Sequence, residues 1–324
     1  MKLPIYAHPT VTVLVDDHSS FLQNLPVQPH ARRIFHRSDE ALAWMLESPQ
    51  HARAPLRVNH DLPACSVTVD VEGIFRICSQ RGRFSVPSVL VVDFYMPRMN
   101  GLDFCRALQY LPCKKILLAG PAEERLAMEA MNDGLIDRYV RKQDADAPHQ
   151  LERQIAQMQQ AWFLDQERVA HDLLAMHEYS FLQCRRVAEV VRQLYLRHGF
   201  VEHYVFPQPN GILLIDGAGA PQLMVVETEA GMQAQYEIAR DSGAPLSLLQ
   251  ALEQRQVLPF FNHVGHDGMY DKAVGGNWQR YCQEPQVCQG DETYYWALFG
   301  MPNSYLREQP YTHAQYMREA LTAA

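Results

Sequence analysis

The sequence lacks several features that would place it in a common class of protein. No apolar run approaches the roughly 18 to 20 residues that a membrane-spanning helix needs, and residues 1–10 lack the apolar core of a signal peptide. The seven cysteines include no CxxC pair, which argues against a structural zinc site. Their odd number favours reduced thiols. These absences predict a cytoplasmic protein that does not bind a membrane.

An excess of positive charge is also missing. The chain has 29 Lys and Arg residues against 37 Asp and Glu residues, which gives a formal net charge of −8. Residues 1–150 hold 17 residues of each sign, so residues 151–324 carry the whole excess of acid. A dedicated nucleic-acid binder usually presents a basic surface. The charge therefore does not support nucleic-acid binding.

The first 150 residues alternate between short apolar strands and helices. This alternation is typical of an α/β domain with a parallel sheet covered on both faces, and ligands bind such sheets beyond the carboxyl ends of the strands. The predicted strands are VTVLVDD, RRIFHRS, SVLVVD, KKILLAG and RYVRK. The predicted helices are HSSFLQNL, SDEALAWMLES, NGLDFCRALQYL and AEERLAMEAMNDG, with a further helix around Ile74–Gln80.

Acidic residues follow two of these strands. Asp16 and Asp17 come after the first strand, and Asp93 ends the third. In a sheet of order 2-1-3-4-5 the first and third strands are neighbours, so we expect these carboxylates to lie together. Such a group of oxygen ligands suits Mg²⁺. Lys142, at the end of the fifth strand, supplies a cation that could pair with a carboxylate or a phosphoryl oxygen.

These segments resemble the receiver domain of two-component response regulators. The resemblance implies a doubly wound (βα)5 fold with the strand order 2-1-3-4-5. It rests on four stretches in the right order: LVDD at 14–17, VVDFYMPRMNGLDF at 91–104, ILLAG at 116–120 and GLIDRYVRK at 134–142.

The resemblance implies a role for each residue of the predicted site. Asp93 would be the phosphoacceptor, and Mg²⁺ would be held by Asp16, Asp17, Asp93 and the backbone carbonyl of Tyr95. Lys142 would bind the phosphoryl group. The partner implied is a sensor histidine kinase or a phosphotransfer protein, and the chain itself is not expected to be an enzyme.

Two positions differ from the family pattern around this site. Ala119 stands where the family has a Thr or Ser whose hydroxyl meets the phosphoryl group, and Gln143 replaces the usual proline after Lys142. The aromatic switch residue of the fifth strand is present as Tyr139. Loss of a hydrogen bond to a charged group costs about 1.5–3 kcal/mol. Phosphorylation is therefore still expected, with a weaker coupling to Tyr139.

The second half of the chain has no motif with a known mechanism. We predict a receiver domain over 1–147 with an insertion around 51–72, a helical linker or dimerisation segment over 148–200, and an α+β output domain over 201–324. The apolar stripe of the linker is compatible with core packing or with a homodimer seam. The whole chain is similar to the quorum-sensing response regulators of the Lqs and Phc type. That likeness rests on MPRMNGLDFCR, GLIDRYVRK and the hairpin ILLIDGAGAPQLMVV.

Two other functions are compatible with the sequence. The chain could act as an interaction adaptor or phosphate sink whose receiver does not switch, as Ala119 suggests. The output domain could bind nucleic acid through the helical arginines Arg185, Arg186, Arg192 and Arg197. A haloacid-dehalogenase phosphatase is disfavoured because it needs a second acid two residues after the nucleophile, where this chain has Tyr95. His171, His263 and His266 are interpreted as structural polar residues.

Overall fold

The computed structural model describes residues 2–18, 21, 25, 31–48, 58–61, 66–262, 268–301, 305–306 and 308–322. Its strands are β1 (Tyr6–Ala7), β2 (Val11–Val15), β3 (Arg32–Phe35), β4 (Val58–Asp61), β5 (Ser66–Val69), β6 (Pro87–Asp93), β7 (Lys114–Ala119), β8 (Arg138–Arg141), β9 (Phe200–Phe206), β10 (Gly211–Asp216), β11 (Pro221–Thr228), β12 (Leu258–Pro259), β13 (Cys282–Gln283), β14 (Gln286–Gln289) and β15 (Thr293–Gly300).

The α-helices follow the same chain order. They are α1 (Ser38–Glu47), α2 (Val71–Phe75), α3 (Gly101–Ala107), α4 (Glu124–Asn132), α5 (Ala147–Gln166), α6 (Arg168–Ala175), α7 (Arg185–His198), α8 (Glu229–Asp241), α9 (Leu246–Glu253) and α10 (His313–Thr322). Within the described ranges, no helix is both long and apolar enough to cross a membrane. The predicted helix HSSFLQNL lies mostly outside the described residues.

The chain divides into two compact units, each built from separate stretches. The receiver unit contains the described parts of residues 8–53 and 81–166. The antiparallel unit contains the described parts of residues 1–7, 54–80 and 167–324. These units differ from the predicted domains 1–147, 148–200 and 201–324. The described parts of residues 1–7 and 54–80, predicted in the receiver, belong to the antiparallel unit, and residues 148–166 of the predicted linker belong to the receiver unit.

The receiver unit is built on a parallel sheet with the strand order β3-β2-β6-β7-β8. In order of appearance within the unit this is 2-1-3-4-5, so the predicted fold and strand order are confirmed. Strand β6 is buried along its whole length, as expected for an interior strand covered on both faces. One face of the sheet packs on α1, α3 and α4, and the other packs on α5.

Helix α5 belongs to the receiver unit and is not a linker. Its Leu151, Ile155 and Met158 are buried together with Leu14 and Ile116 of the sheet. Spacings of three and four residues put these side chains on one helix face. The apolar stripe that predicted either core packing or a dimer seam is therefore core packing over 147–166, and the predicted linker, from residue 148, begins within α5.

The antiparallel unit is built on a sheet with the strand order β1-β9-β10-β11-β15-β14. The predicted hairpin is confirmed, since β10 pairs with β11 and Asp216 Oδ1 accepts hydrogen bonds from the backbone of Ala218 (2.9 Å) and Ala220 (2.8 Å) in the DGAG turn. Helix α8 begins directly after β11 because the Thr228 hydroxyl caps it, accepting from the Gly231 amide at 3.1 Å. The predicted α+β character of this region is confirmed.

Two stretches predicted within the receiver contribute to the antiparallel unit. Strand β1 pairs with β9, with Tyr6 opposite Tyr204. Helix α2 packs on the same strand, where the Phe75 and Phe206 rings lie 5.2 Å apart between centroids. The predicted helix around Ile74–Gln80 starts earlier, at Val71, and continues after α2 as a 3₁₀ turn over Arg76–Ser79.

Candidate functional site

Neighbouring strands bring two carboxylates to one edge of the parallel sheet. Strands β2 and β6 are paired in register, with Val15 beside Val92. Asp16 and Asp93 are the residues that follow these two positions, and both are buried, at 0% and 6% exposure. Burying two carboxylates is costly unless a cation or hydrogen-bond donors meet them.

Lys142 supplies that cation. Its Nζ lies 2.7 Å from Asp16 Oδ2 and 2.9 Å from Asp93 Oδ2. The backbone positions it, because the Lys142 amide donates to the carbonyl of Ala119 at 3.1 Å just beyond β8. Burial raises the pKa of the Asp93 carboxyl and the Asp16 charge adds to this effect, while Lys142 acts in the opposite direction. The predicted pairing of Asp16, Asp93 and Lys142 is what the structure shows.

The residues after β2 offer ligands for a cation. Oxygen or nitrogen atoms of Asp16, Asp17 and His18 all lie within 4.8 Å of one another. The His18 amide donates to Asp16 Oδ1 at 2.9 Å, and its ring Nδ1 lies 2.9 Å from Asp17 Oδ1. Carboxylate oxygens are hard ligands, so Asp16 and Asp17 suit Mg²⁺. Asp93 lies outside this group of three, and its part in holding Mg²⁺ stays a prediction. His18 was not predicted, although it directly follows the two acids.

The loop after Asp93 is tightly packed, which explains the sequence MPRMNGLDF. The Gly101 amide donates to the carbonyl of Phe94 at 2.9 Å, and a Cβ on Gly101 would lie 2.4 Å from the carbonyl oxygen of Asp93. Only glycine allows this approach. Asn100 caps helix α3, because its side-chain oxygen accepts from the Asp103 amide at 2.8 Å.

Tyr95 bridges two loops at this edge of the sheet. Its side chain is largely exposed, and its hydroxyl donates to Glu123 Oε1 at 2.6 Å. Glu123 is only 4% exposed and lies in the 3₁₀ turn that follows β7. No sequence pattern pointed to Glu123. The metal-binding role of the Tyr95 backbone carbonyl stays a prediction.

The two predicted switch positions lie on adjacent strands. Ala119 is buried at the end of β7, opposite Arg141 of β8, and its methyl group offers no hydrogen bond. Tyr139 is half-buried, and its hydroxyl donates to Glu124 Oε1 at 3.2 Å. Arg141 also donates to Glu124. Tyr139 is therefore already engaged on the surface of the receiver unit.

The other candidate residues have structural contacts. His171 is buried, with its ring nitrogens 3.1 Å from the Leu3 carbonyl and 3.2 Å from Asp172 Oδ1. Arg192 pairs with Glu189 at 2.6 Å on α7. The remaining predicted arginines, Arg185, Arg186 and Arg197, are exposed on α7. His263 and His266 lie outside the described residues.

Three features together define a receiver domain: the order of the parallel sheet, the acids beyond β2 and β6, and the cation beyond β8. The chain is accordingly a response regulator. Its overall structure is similar to that of the response regulator LqsR of Legionella pneumophila. The TM-score is 0.80 at 28% identity, over 98% of this chain and 95% of that one.

Further solved structures match about half of the chain. One is the signal receiver domain of an HD domain-containing protein from Pseudomonas fluorescens Pf-5, with a TM-score of 0.33 at 18% identity over 50% of this chain and 95% of that one. Another is a response regulator receiver domain protein from Clostridium thermocellum, with a TM-score of 0.32 at 17% identity over 49% and 98% of the two chains. No family model and no curated protein sequence matches the chain.

Proposed function

We propose that the chain is a cytoplasmic signalling protein whose Asp93 accepts a phosphoryl group from a sensor histidine kinase or a phosphotransfer protein. The observation that carries this proposal is the position of Lys142 Nζ, within hydrogen-bond distance of both Asp16 and Asp93. A cation held between the acceptor and a second acid is positioned to compensate the negative charge of a phosphoryl oxygen on Asp93. The likeness to LqsR supports the same reading.

The chemistry follows from these positions. A carboxylate oxygen of Asp93 attacks the phosphorus of the donor, and the bond from phosphorus to the donor nitrogen breaks with its electron pair leaving on the donor. Lys142 compensates the added negative charge and orients the group. Mg²⁺ held by Asp16, Asp17 and Asp93 would screen the phosphoryl oxygens, which lets a weak nucleophile approach. On this proposal the chain acts as a regulator and not as an enzyme.

The test is direct phosphorylation of the full chain. Incubation with a small-molecule phosphodonor and Mg²⁺, followed by intact mass, is expected to show the gain of one phosphoryl group. Asp93→Asn should gain none, whereas Asp133→Asn, at an exposed acid of the same unit, should behave as wild type. Equal gain by wild type and Asp93→Asn, or no gain by wild type, would overturn the proposal.

The output we propose is a change in self-association that acts in quorum-sensing signal transduction. The likeness to LqsR supports the pathway. The stripe of α5 is buried within the receiver unit, so we propose that copies associate through another surface. Light scattering with and without phosphodonor tests this output. A larger mass of the phosphorylated protein is expected, and an unchanged mass would contradict it.

A receiver that accepts phosphate without switching is the second candidate. Ala119 favours it, because a methyl group cannot hydrogen-bond the phosphoryl group, and Tyr139 already bonds Glu124. In that case the chain works as an adaptor or a phosphate sink. Phosphorylation of Asp93 with no change in self-association would support this candidate over the first.

A further inference from the structure

Two cysteines far apart in sequence meet inside the antiparallel unit. Cys184 lies immediately before α7, where it occupies the N-cap position. Cys288 lies on β14, at one edge of the described antiparallel sheet, opposite Tyr294 of β15. Both thiols are free and buried, at 4% and 6% exposure.

The two side chains lie close together. The Cys184 thiol is near enough to the Cys288 thiol to raise its pKa. The sulfur of Cys184 also lies against Gly290, since a Cβ on that glycine would be only 2.4 Å from it. A residue without a side chain thus leaves the space that the sulfur occupies. Helix α7 and strand β14 are in contact around the pair.

We propose that Cys184 and Cys288 form a reversible disulfide, which makes this pair a site of oxidative modification. With hydrogen peroxide as oxidant, one thiol loses its proton and the thiolate attacks a peroxide oxygen. The O–O bond breaks to give a sulfenic acid, and the leaving hydroxide takes up the proton to become water. The second thiol then attacks that sulfur and releases another water. Overall two thiols and one peroxide give one disulfide and two waters. A thiol reductant reverses the reaction by exchange.

Proximity, rather than unusual thiol acidity, makes this pair selective. Burial and the Cys184 thiol raise the pKa of the Cys288 thiol, whereas Arg186 opposes the shift. The thiolate is the reactive form, so we expect slow oxidation that responds to sustained peroxide. Two thiols held close together by the fold have a high effective concentration, which favours their disulfide over other products.

The bond would tie the edge strand β14 to the start of α7. It would close a loop over residues 184–288 that contains β9, β10, β11, α8 and α9. This inference does not depend on the proposed phosphorylation of Asp93, because the pair lies in the antiparallel unit and uses none of the receiver residues.

The test is disulfide mapping of the full wild-type chain. Folded protein is treated with hydrogen peroxide, free thiols are alkylated, and peptides covering all seven cysteines are analysed without reduction. We expect the cross-linked Cys184 and Cys288 peptides to form at least about tenfold faster than any other pair, and to disappear with dithiothreitol. Faster linkage of Cys105 to Cys113, which are also buried near each other, would overturn the proposal.

Variants provide a second arm. Cys184→Ser and Cys288→Ser should each prevent the fast loss of two thiols, whereas Cys282→Ser, at a half-buried cysteine of the same unit, should not. If either variant fails to fold, wild-type protein in denaturant replaces it, and selective pairing should vanish there. Unchanged thiol loss in both folded variants, or pairing that persists in denaturant with the same selectivity, would contradict the role of the folded contact.

Discussion

The two units differ in where their buried ionisable groups lie. In the receiver unit Asp16, Asp93 and Lys142 lie at one edge of the sheet, and Lys142 is partly exposed. In the antiparallel unit the groups lie inside the strands. The Tyr204 hydroxyl donates to Glu202 at 2.5 Å within β9. His203 contacts the Tyr195 hydroxyl at 2.7 Å, and burial lowers its pKa to about 4.

This difference separates groups available for chemistry from groups that complete a fold. The carboxyl ends of all strands in a parallel sheet lie at the same edge. Charged side chains that follow the strands are therefore grouped where a ligand can bind. Neighbouring antiparallel strands end at opposite edges, and polar side chains within them bond their own neighbours. A buried carboxyl or imidazole with a shifted pKa is therefore a candidate for ligand binding only when its position also lets a ligand reach it.

Replacing the same residue type in the two units should give the largest contrast. Lys142→Met leaves Asp16 and Asp93 buried without their cation, and we expect a loss of about 3 kcal/mol in the free energy of unfolding. Lys2→Met removes an exposed pair with Asp172 in the antiparallel unit, and a loss below about 1 kcal/mol is expected. Urea unfolding without Mg²⁺ measures the free energy of unfolding of both variants. Equal losses would contradict the proposed difference between the two units.

The antiparallel unit should show its own dependence on pH through Glu227. Burial raises the pKa of this carboxyl from 4.5 to about 7, although Gln235 donates to it at 3.3 Å and opposes the shift. Between these two pKa values the folded state keeps a proton that the unfolded state has lost. The free energy of unfolding should therefore fall as pH rises from about 4.5 to about 7, by at most about 3 kcal/mol.

Glu227→Gln isolates this contribution. The variant cannot ionise at position 227, so its stability should fall less than that of wild type over the same pH range. Glu237→Gln, at an exposed position on α8, should follow wild type. Denaturant unfolding at several pH values measures the difference, and parallel curves for wild type and Glu227→Gln would refute the assignment. The comparison is needed because burial also raises the pKa of Glu167 to about 7.

A pair of glycines tests how tightly the acceptor loop is packed. A Cβ at Gly101 would lie 2.4 Å from the Asp93 carbonyl oxygen and 2.9 Å from Leu117 Cδ1. We expect Gly101→Ala to destabilise the receiver unit by about 2 kcal/mol and to slow phosphorylation. A Cβ at Gly82 meets no atom within 4 Å, so Gly82→Ala should change stability by less than about 0.5 kcal/mol. Thermal unfolding measures both changes in stability. Similar shifts in melting temperature for the two variants would contradict the tight packing at Gly101.

The smallest expected effect concerns the missing hydroxyl. Ala119→Ser should add a hydrogen bond to a group bound at Asp93 and raise the affinity for beryllofluoride, a phosphoryl mimic, about tenfold. Calorimetric titration with Mg²⁺ measures this change, and Ala127→Ser, at a buried alanine of α4, controls for an added hydroxyl. Unchanged affinity would mean that the end of β7 does not contact the group.

The receiver site was predictable because its geometry follows from strand order. Once β2 and β6 are neighbours, Asp16 and Asp93 must be close, and Lys142 follows from the end of β8. The assignment of α5 to the receiver unit was not predictable. An apolar stripe through Leu151 and Ile155 shows that one face of the helix is buried, but it does not show which element packs on that face. The pairing of Tyr6 with Tyr204 is equally hidden, because no local pattern records which distant strand an edge strand will meet.

The division of the chain has a consequence during synthesis. Synthesis of the receiver unit is complete once residue 166 has left the ribosome. Strand β1, in contrast, is synthesised long before β9, the strand with which it pairs. We therefore expect the receiver to fold first, with the opening strand of the other unit waiting unpaired on the nascent chain. A truncated chain that begins at residue 167 would lack β1 and α2, so the antiparallel unit is expected to be stable only when the whole chain is present.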